Sequence, residues 1–163
     1  MKSQYLAIAG RIRRELQDIA VVVERSLSIW QEGTAGSSTS NLNYYIDATA
    51  LNLHSFYSGI ERLLEIIVDG IDQTRPSGSN WHQAILQQLA SEIPGVRPPI
   101  LRAVTREQLD RYRGFRHVVR NIYTFTLDPE QIEILIKHLQ PTMQLVSQDL
   151  LDFSDLLEKT ASD

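Results

Sequence analysis

Residues 105–128 read TREQLDRYRGFRHVVRNIYTFTLD, and they indicate both the fold class and the place where a function is expected. Apolar residues recur in this stretch at steps of three and four, the spacing of one face of an α-helix. They are Leu109, Tyr112, Phe115, Val119 and Ile122. Thr105, followed three residues later by Gln108, has the pattern of a capping box. The stretch therefore predicts an amphipathic helix that begins near Thr105.

The polar side of this helix is rich in cations, with five arginines and one histidine. Helical spacing places them on two adjoining strips. The members are Arg113, His117, Arg120 and Thr124 on one strip, and Arg116, Arg120 and Tyr123 on the other. Guanidinium groups on one face repel each other, so the cluster suggests an anion site. The alternative is a solvated basic face, paired with some of the 20 acidic residues. Gly114, inside the helix, suggests close approach by another helix or a ligand.

The rest of the chain also reads as helices. Stripes at steps of three and four predict a first helix over 3–31 and a second, central one over 42–69. A short helix is expected over 81–91, after a loop that ends in a cap, and a last helix up to about residue 158. The last helix should begin with a capping box, formed by Asp128 and Gln131, with Pro129 in its first turn. Pro141 should kink or interrupt this last helix.

These elements predict an all-α fold, an up-and-down bundle of four main helices plus a short helix, forming one domain over 1–163. The segment 33–41, GTAGSSTSN, is expected to be a loop. On the second helix, His54, Glu61 and Glu65 are placed opposite the apolar face. We interpret His54 as a packing or hydrogen-bonding residue rather than a metal ligand, since no second histidine stands at helical spacing.

Composition narrows the classes of function. The chain of 163 residues is 42% hydrophobic and 22% charged, with a net charge of −4, which disfavours indiscriminate binding of nucleic acid. It has no cysteine, and no apolar run is long enough for a membrane span or a signal peptide. We therefore expect a cytoplasmic protein. Phosphate-loop, nucleophile-elbow and zinc-protease motifs are absent, and neither a metal nor a cofactor is expected.

Three stretches together resemble the HEPN superfamily, and within it the HepT-like group. They are GFRHVVRNIYTF (114–125), TLDP (126–129) and ATALNLHSFYSGIERLLEIIVDGI (48–71). The signature of that family is an arginine, four to six residues, then a histidine, often followed by x-Tyr. Arg116, Asn121 and Tyr123 fit this frame, except that Asn121 stands where the family has histidine. An amide binds phosphate or a hydroxyl but cannot exchange a proton at neutral pH.

The resemblance implies a ribonuclease toxin that pairs with a nucleotidyltransferase antitoxin. It further implies a homodimer in which two motif helices meet, with Gly114 and Phe115 permitting their close approach. The activity implied is metal-independent cleavage of RNA. The catalytic residues would be Arg116, His117, Asn121 and Tyr123, and the substrate-binding residues Arg113 and Arg120. His117 is expected to be the only side chain near Arg116 that exchanges protons at neutral pH.

Two alternatives to a ribonuclease remain open. The first is a non-catalytic HEPN bundle that binds RNA, a nucleotide or a nucleotidyltransferase partner through the same face. The second is a helical interaction module without any role in nucleic-acid binding.

Overall fold

The fold is all-α, as predicted. The computed structural model describes residues 1–36, 41–121 and 127–163. The helices in these ranges are α1 (Lys2–Ala35), α2 (Leu42–Ile67), α3 (Trp81–Leu89), α4 (Ala103–Asn121) and α5 (Pro129–Ser162). One turn of π-helix, Val68–Asp72, continues α2. The described ranges contain no β-strand beyond an isolated bridge between Ile93 and Arg97.

Helix α1 packs antiparallel against α2, and two glycines of α2 and its π-turn mark the close contacts. A Cβ atom at Gly59 would lie 2.9 Å from Ile19, and one at Gly70 would lie 2.5 Å from Ile8. Larger residues at these positions would push the two helices apart. The amide of Gln4 also donates to the carbonyl of Gly70 at 2.8 Å.

Helix α5 packs antiparallel against both α1 and α4. The guanidinium of Arg13 on α1 pairs with Asp155 at 2.6 Å near the end of α5. On α4, the buried hydroxyl of Tyr112 donates to the carbonyl of Leu135 at 2.7 Å. The backbone N–H of Arg102, just before α4, donates to Asp149 further along α5. These pairings confirm the up-and-down bundle.

The predicted capping box at Thr105 is wrong, because α4 begins two residues earlier, at Ala103. Thr105 is buried inside the helix, and its hydroxyl has no hydrogen-bond partner among the described residues. The carboxylate of Asp149 lies at this helix end instead, where it accepts from the backbone N–H of Arg102 at 3.0 Å and also binds its side chain. The helix start is thus supported by a residue on another helix.

Helix α1 is longer than predicted and continues through Gly33 to Ala35. Within this last turn the hydroxyl of Thr34 donates to the carbonyl of Trp30 at 2.9 Å. Gly33 allows the side chain of Tyr45 on α2 to pack directly on the α1 backbone, since a Cβ atom there would lie 2.5 Å from the Tyr45 Cβ. Residues 37–40 of the expected loop lie outside the described ranges.

Helix α5 begins as predicted, since Asp128 accepts from the backbone N–H of Glu130 at 3.0 Å and Pro129 occupies the first turn. Pro141 was expected to kink or interrupt α5, and the helix is not interrupted there, since it runs through Pro141 to Ser162. Leu139 and Thr142 on either side are both fully buried, so core packing holds this part of the helix in place.

A buried ion pair fixes the position of α3. The side chains of Asp72 and Arg97 are 0% and 1% exposed, and two N–O contacts of 2.6 and 2.7 Å join them. Arg97 also donates to the carbonyl of Gln88 on α3, and the amide of Gln88 donates to Asp72. The network ties α3 to the end of α2.

Candidate functional site

The apolar face of α4 lies in the core, and this directs its cationic face outward. Leu109, Tyr112 and Phe115 are at most 3% exposed. The ring of Tyr112 packs edge-on against Phe56 of α2, with ring centroids 5.1 Å apart. Because these side chains fix the rotation of α4, the predicted cationic residues lie together on the opposite, accessible side.

These residues line one cleft of about 480 Å³, formed between α4 and the beginning of α3. The lining residues are Arg113, Arg116, His117, Arg120 and Asn121 from α4, and Ser79, Asn80, His82 and Gln83 from α3 and the turn before it. All predicted site residues that the structure describes are therefore brought together. Tyr123 lies outside the described residues.

Arg116 is the most enclosed of the three arginines of the cleft. Its side chain is 16% exposed, and its Nη2 atom lies 3.4 Å from Glu61 of α2. Its Nε atom is buried and has no hydrogen-bond partner in the described structure. Arg113 donates through Nε to Asp110 at 2.6 Å, and Arg120 is exposed. A guanidinium that lines a cleft and is largely enclosed is suited to bind an oxyanion.

Glu61 links Arg116 to a second histidine of the cleft, His82. The Oε2 atom of Glu61 lies 2.6 Å from Nδ1 of His82, while its Oε1 atom faces Arg116. Glu61 is 5% exposed, so the expectation that it lies opposite the apolar face of α2 is wrong. The expectation that His117 is the only proton-exchanging group near Arg116 is also wrong, because His82 lies there as well.

His117 and Asn121 lie on the exposed edge of the cleft. The amide of Asn121 donates to the backbone carbonyl of His117 at 2.8 Å. The same nitrogen is 3.4 and 3.5 Å from the two ring nitrogens of His117. The two side chains therefore touch, but none of these contacts fixes the imidazole to a buried group.

His54, on α2, lies close to the same arginines. Its pKa is lowered by burial and, to a smaller extent, by the positive charges of Arg116 and Arg120. Its neutral form is therefore favoured, in agreement with the interpretation of His54 as a packing residue. Glu61 and Glu65 do not pair with His54. Glu61 pairs with His82 and Arg116, and Glu65 pairs with Arg75 at 2.8 Å. In the ranges that the structure describes, no group of three or more metal-binding side chains occurs.

Three local predictions at the site need correction. Phe115 is buried in the core, so it is not available to a second subunit. None of the described helices approaches Gly114, because a Cβ atom there would meet no described atom within 4 Å. Asn80 precedes α3 without capping it through its side chain, and it lines the cleft instead.

Sequence reasoning missed both Glu61 and His82 as members of the site. They are 21 residues apart, and no motif spacing joins them. One signal was available for Glu61, since it lies four residues after Tyr57 and three before Leu64, both of which belong to the apolar stripe of α2. An acidic residue in such a stripe must have a partner, because an unpaired buried charge is costly.

The fold and the cleft define an all-α domain with a cationic site that two helices and a turn enclose. A sequence model of the family described as HepT-like protein matches residues 48–157. This range covers more than half of the chain and includes α3, α4 and most of α2 and α5. The chain therefore belongs to the HepT-like family of the HEPN superfamily.

Neither the curated proteins nor the solved structures gave a match to this chain. A search for membrane spans among the described helices found none of sufficient length and hydrophobicity.

Proposed function

We propose that this protein is a HepT-like toxin that cleaves RNA without a metal ion, acting in the cytoplasm and controlled by a nucleotidyltransferase antitoxin. The observation that supports this best is the cleft itself. It joins three arginines to two histidines, and Arg116 is the most enclosed of these arginines. Membership of the HepT-like family supports the same reading.

The chemistry of RNA cleavage requires the groups that the cleft contains. A base removes the proton of the 2′-hydroxyl, and a cation stabilises the negative charge that develops on the phosphate. Arg116 suits the second task, because a guanidinium binds two phosphate oxygens at once. Arg113 and Arg120 would hold neighbouring phosphates of the strand. His117 and Asn121 lie at the mouth of the cleft, where they would contact the reacting nucleotide, and Tyr123 would donate a hydrogen bond or be modified by the antitoxin.

The test is cleavage of a labelled, mixed-sequence single-stranded RNA by the purified protein in buffer with EDTA. Arg116→Ala should weaken binding or cleavage by about 30- to 1000-fold, since a charge-assisted bidentate contact contributes about 2–4 kcal/mol in an enclosed site. Arg111→Ala is the matched control, because Arg111 is an exposed arginine of the same helix that does not line the cleft. Equal effects of the two substitutions would show that binding is diffuse and would refute the proposed site.

The second candidate is a bundle that binds RNA, a nucleotide or the nucleotidyltransferase without cleaving anything. The presence of Asn121 at the histidine position of the family signature favours it. Asn121→His distinguishes the two candidates. If only the missing histidine prevents cleavage, this substitution creates an activity that the wild-type protein lacks. If the wild-type protein already cleaves RNA, the proton-transfer group lies elsewhere in the cleft.

The proposed assembly is a homodimer with α4 at or near its interface. The glycine at position 114 supports it, because no contact within the described ranges of the chain requires a glycine there. Light scattering at micromolar concentration should give twice the chain mass of 18.6 kDa. A stable mass of 18.6 kDa would contradict this assembly.

A further inference from the structure

His82 is held in the way that catalytic histidines commonly are. Its Nδ1 atom lies 2.6 Å from the carboxylate of Glu61, which is 5% exposed. A carboxylate accepts hydrogen bonds, so Nδ1 carries the proton, and the lone pair of the neutral ring is on Nε2, on the other side of the imidazole. His82 lines the cleft with 23% of its side chain exposed, so it is accessible to a ligand.

The neighbouring residue restricts the ring of His82 further. The indole of Trp81 stacks on the imidazole with ring centroids 3.6 Å apart and an angle of 31° between the planes. His117, in comparison, is exposed, and among the described side chains its ring nitrogens have polar contacts only with the amide of Asn121, at 3.4 and 3.5 Å. A base is effective when its orientation is fixed before the substrate binds. By this criterion His82 is better oriented than His117 to act as a base.

The carboxylate of Glu61 also determines the spacing between His82 and the arginine expected to bind phosphate. One oxygen binds His82 and the other lies 3.4 Å from Arg116, so a single buried group holds a proton acceptor and a guanidinium side by side. The fold places the two on different helices, α3 and α4. Glu61, on α2, joins them.

We propose that His82, oriented by Glu61, is the catalytic base that accepts the proton of the RNA 2′-hydroxyl. This inference rests on the proposed ribonuclease function and assigns the role that Asn121 cannot fill. The 2′-oxygen forms a bond to phosphorus, the bond from phosphorus to the 5′-oxygen breaks, and that oxygen takes a proton from water. The hydroxide that remains is neutralised by the proton that His82 then releases. The products are a 2′,3′-cyclic phosphate and a 5′-hydroxyl. Arg116 binds the phosphate oxygens, and Glu61 is a positioning residue.

The experiment compares wild-type protein with His82→Gln, His117→Ala and His138→Gln. His138 is an exposed histidine of α5 that does not line the cleft, so His138→Gln is the matched control. Cleavage of the labelled RNA is measured as a rate, and binding is measured with a fully 2′-O-methylated RNA of the same sequence, which has no 2′-hydroxyl to attack. His82→Gln should lose about 10²–10⁴ in rate and bind almost normally, because the base acts on the reaction and not on affinity. His138→Gln should match the wild-type protein in both.

Two further measurements separate catalysis from a structural role. Imidazole added to His82→Ala should restore part of the cleavage rate, which would not happen if His82 only packed against Trp81. Glu61→Gln should slow cleavage without weakening the binding of the 2′-O-methylated RNA, because an amide orients the ring of His82 less firmly than a carboxylate does.

The outcomes distinguish this inference from the function on which it rests. If the wild-type protein cleaves no RNA under any condition, the proposed function and the inference both fail. If it cleaves, and folded His82→Gln cleaves at the wild-type rate while His117→Ala does not, the function stands and the inference is refuted. Failure of imidazole to rescue His82→Ala, with normal binding and folding, would also count against His82 as the base.

Discussion

Replacing Asp72 with Asn should destabilise the protein by about 3–5 kcal/mol, because it leaves the guanidinium of Arg97 buried without a counter-charge. The two side chains are 0% and 1% exposed, and two short contacts join them. Asp69, in the same π-turn, provides a matched control. It is also paired with an arginine, Arg75, but these side chains are 53% and 44% exposed, so Asp69→Asn should cost at most about 1 kcal/mol.

Urea denaturation followed by circular dichroism measures this difference. Both variants should keep the wild-type denaturant slope, and only Asp72→Asn should show a large fall in midpoint. For a chain of this length 1 kcal/mol corresponds to about 2–4 °C in melting temperature, so Asp72→Asn should melt about 6–20 °C below the wild-type protein. If the two variants differ by less than about 1 kcal/mol, the Asp72–Arg97 pair does not stabilise the fold as argued.

Three other substitutions have expected outcomes that follow from the structure. Gly114→Ala should stabilise the isolated subunit by about 0.5–1 kcal/mol in urea denaturation, since its Cβ would meet no described atom within 4 Å. The same substitution should weaken dimerisation in light scattering if α4 lies at the interface. A loss of subunit stability would show that the space around Gly114 is not open. Since the pKa of His54 is lowered from 6.5 in the folded state, the free energy of unfolding should fall as the pH drops below about 6.5. The fall should be less steep in His54→Gln. Identical pH profiles of the two proteins would argue against a contribution of His54. Asp128→Ala should lower stability by about 1 kcal/mol through loss of the cap on Glu130, and an unchanged urea midpoint would show that the cap contributes nothing.

Much of the fold is predictable because its determinants are local in sequence. The apolar stripes of the long helices need only the residues of each helix, and the start of α5 needs only Asp128 and Pro129. The capping of α4 was mispredicted because the residue that supports this helix end is distant in sequence. Asp149, on α5, binds Arg102 at that helix end, and no residue near Thr105 reveals this.

The candidate site likewise has some residues that local sequence predicts and others that it does not. Helical spacing alone places Arg113, Arg116, His117 and Arg120 on adjoining strips of α4, and these residues do line one cleft. His82 could not be assigned in this way, because it comes from α3, whose position depends on the buried network around Arg97. Tertiary packing, rather than a motif, brings it to Arg116.

The buried carboxylate of Glu61 bears directly on whether the cleft only binds RNA or also cleaves it. A site selected for affinity alone would gain from losing this charge, because a carboxylate 3.4 Å from Arg116 opposes the binding of a phosphate. A site that transfers a proton needs the same carboxylate to fix His82. Glu61→Gln should therefore tighten the binding of 2′-O-methylated RNA while it slows cleavage. A parallel loss of both, in a protein that still folds, would mean that Glu61 serves only to hold α2, α3 and α4 together.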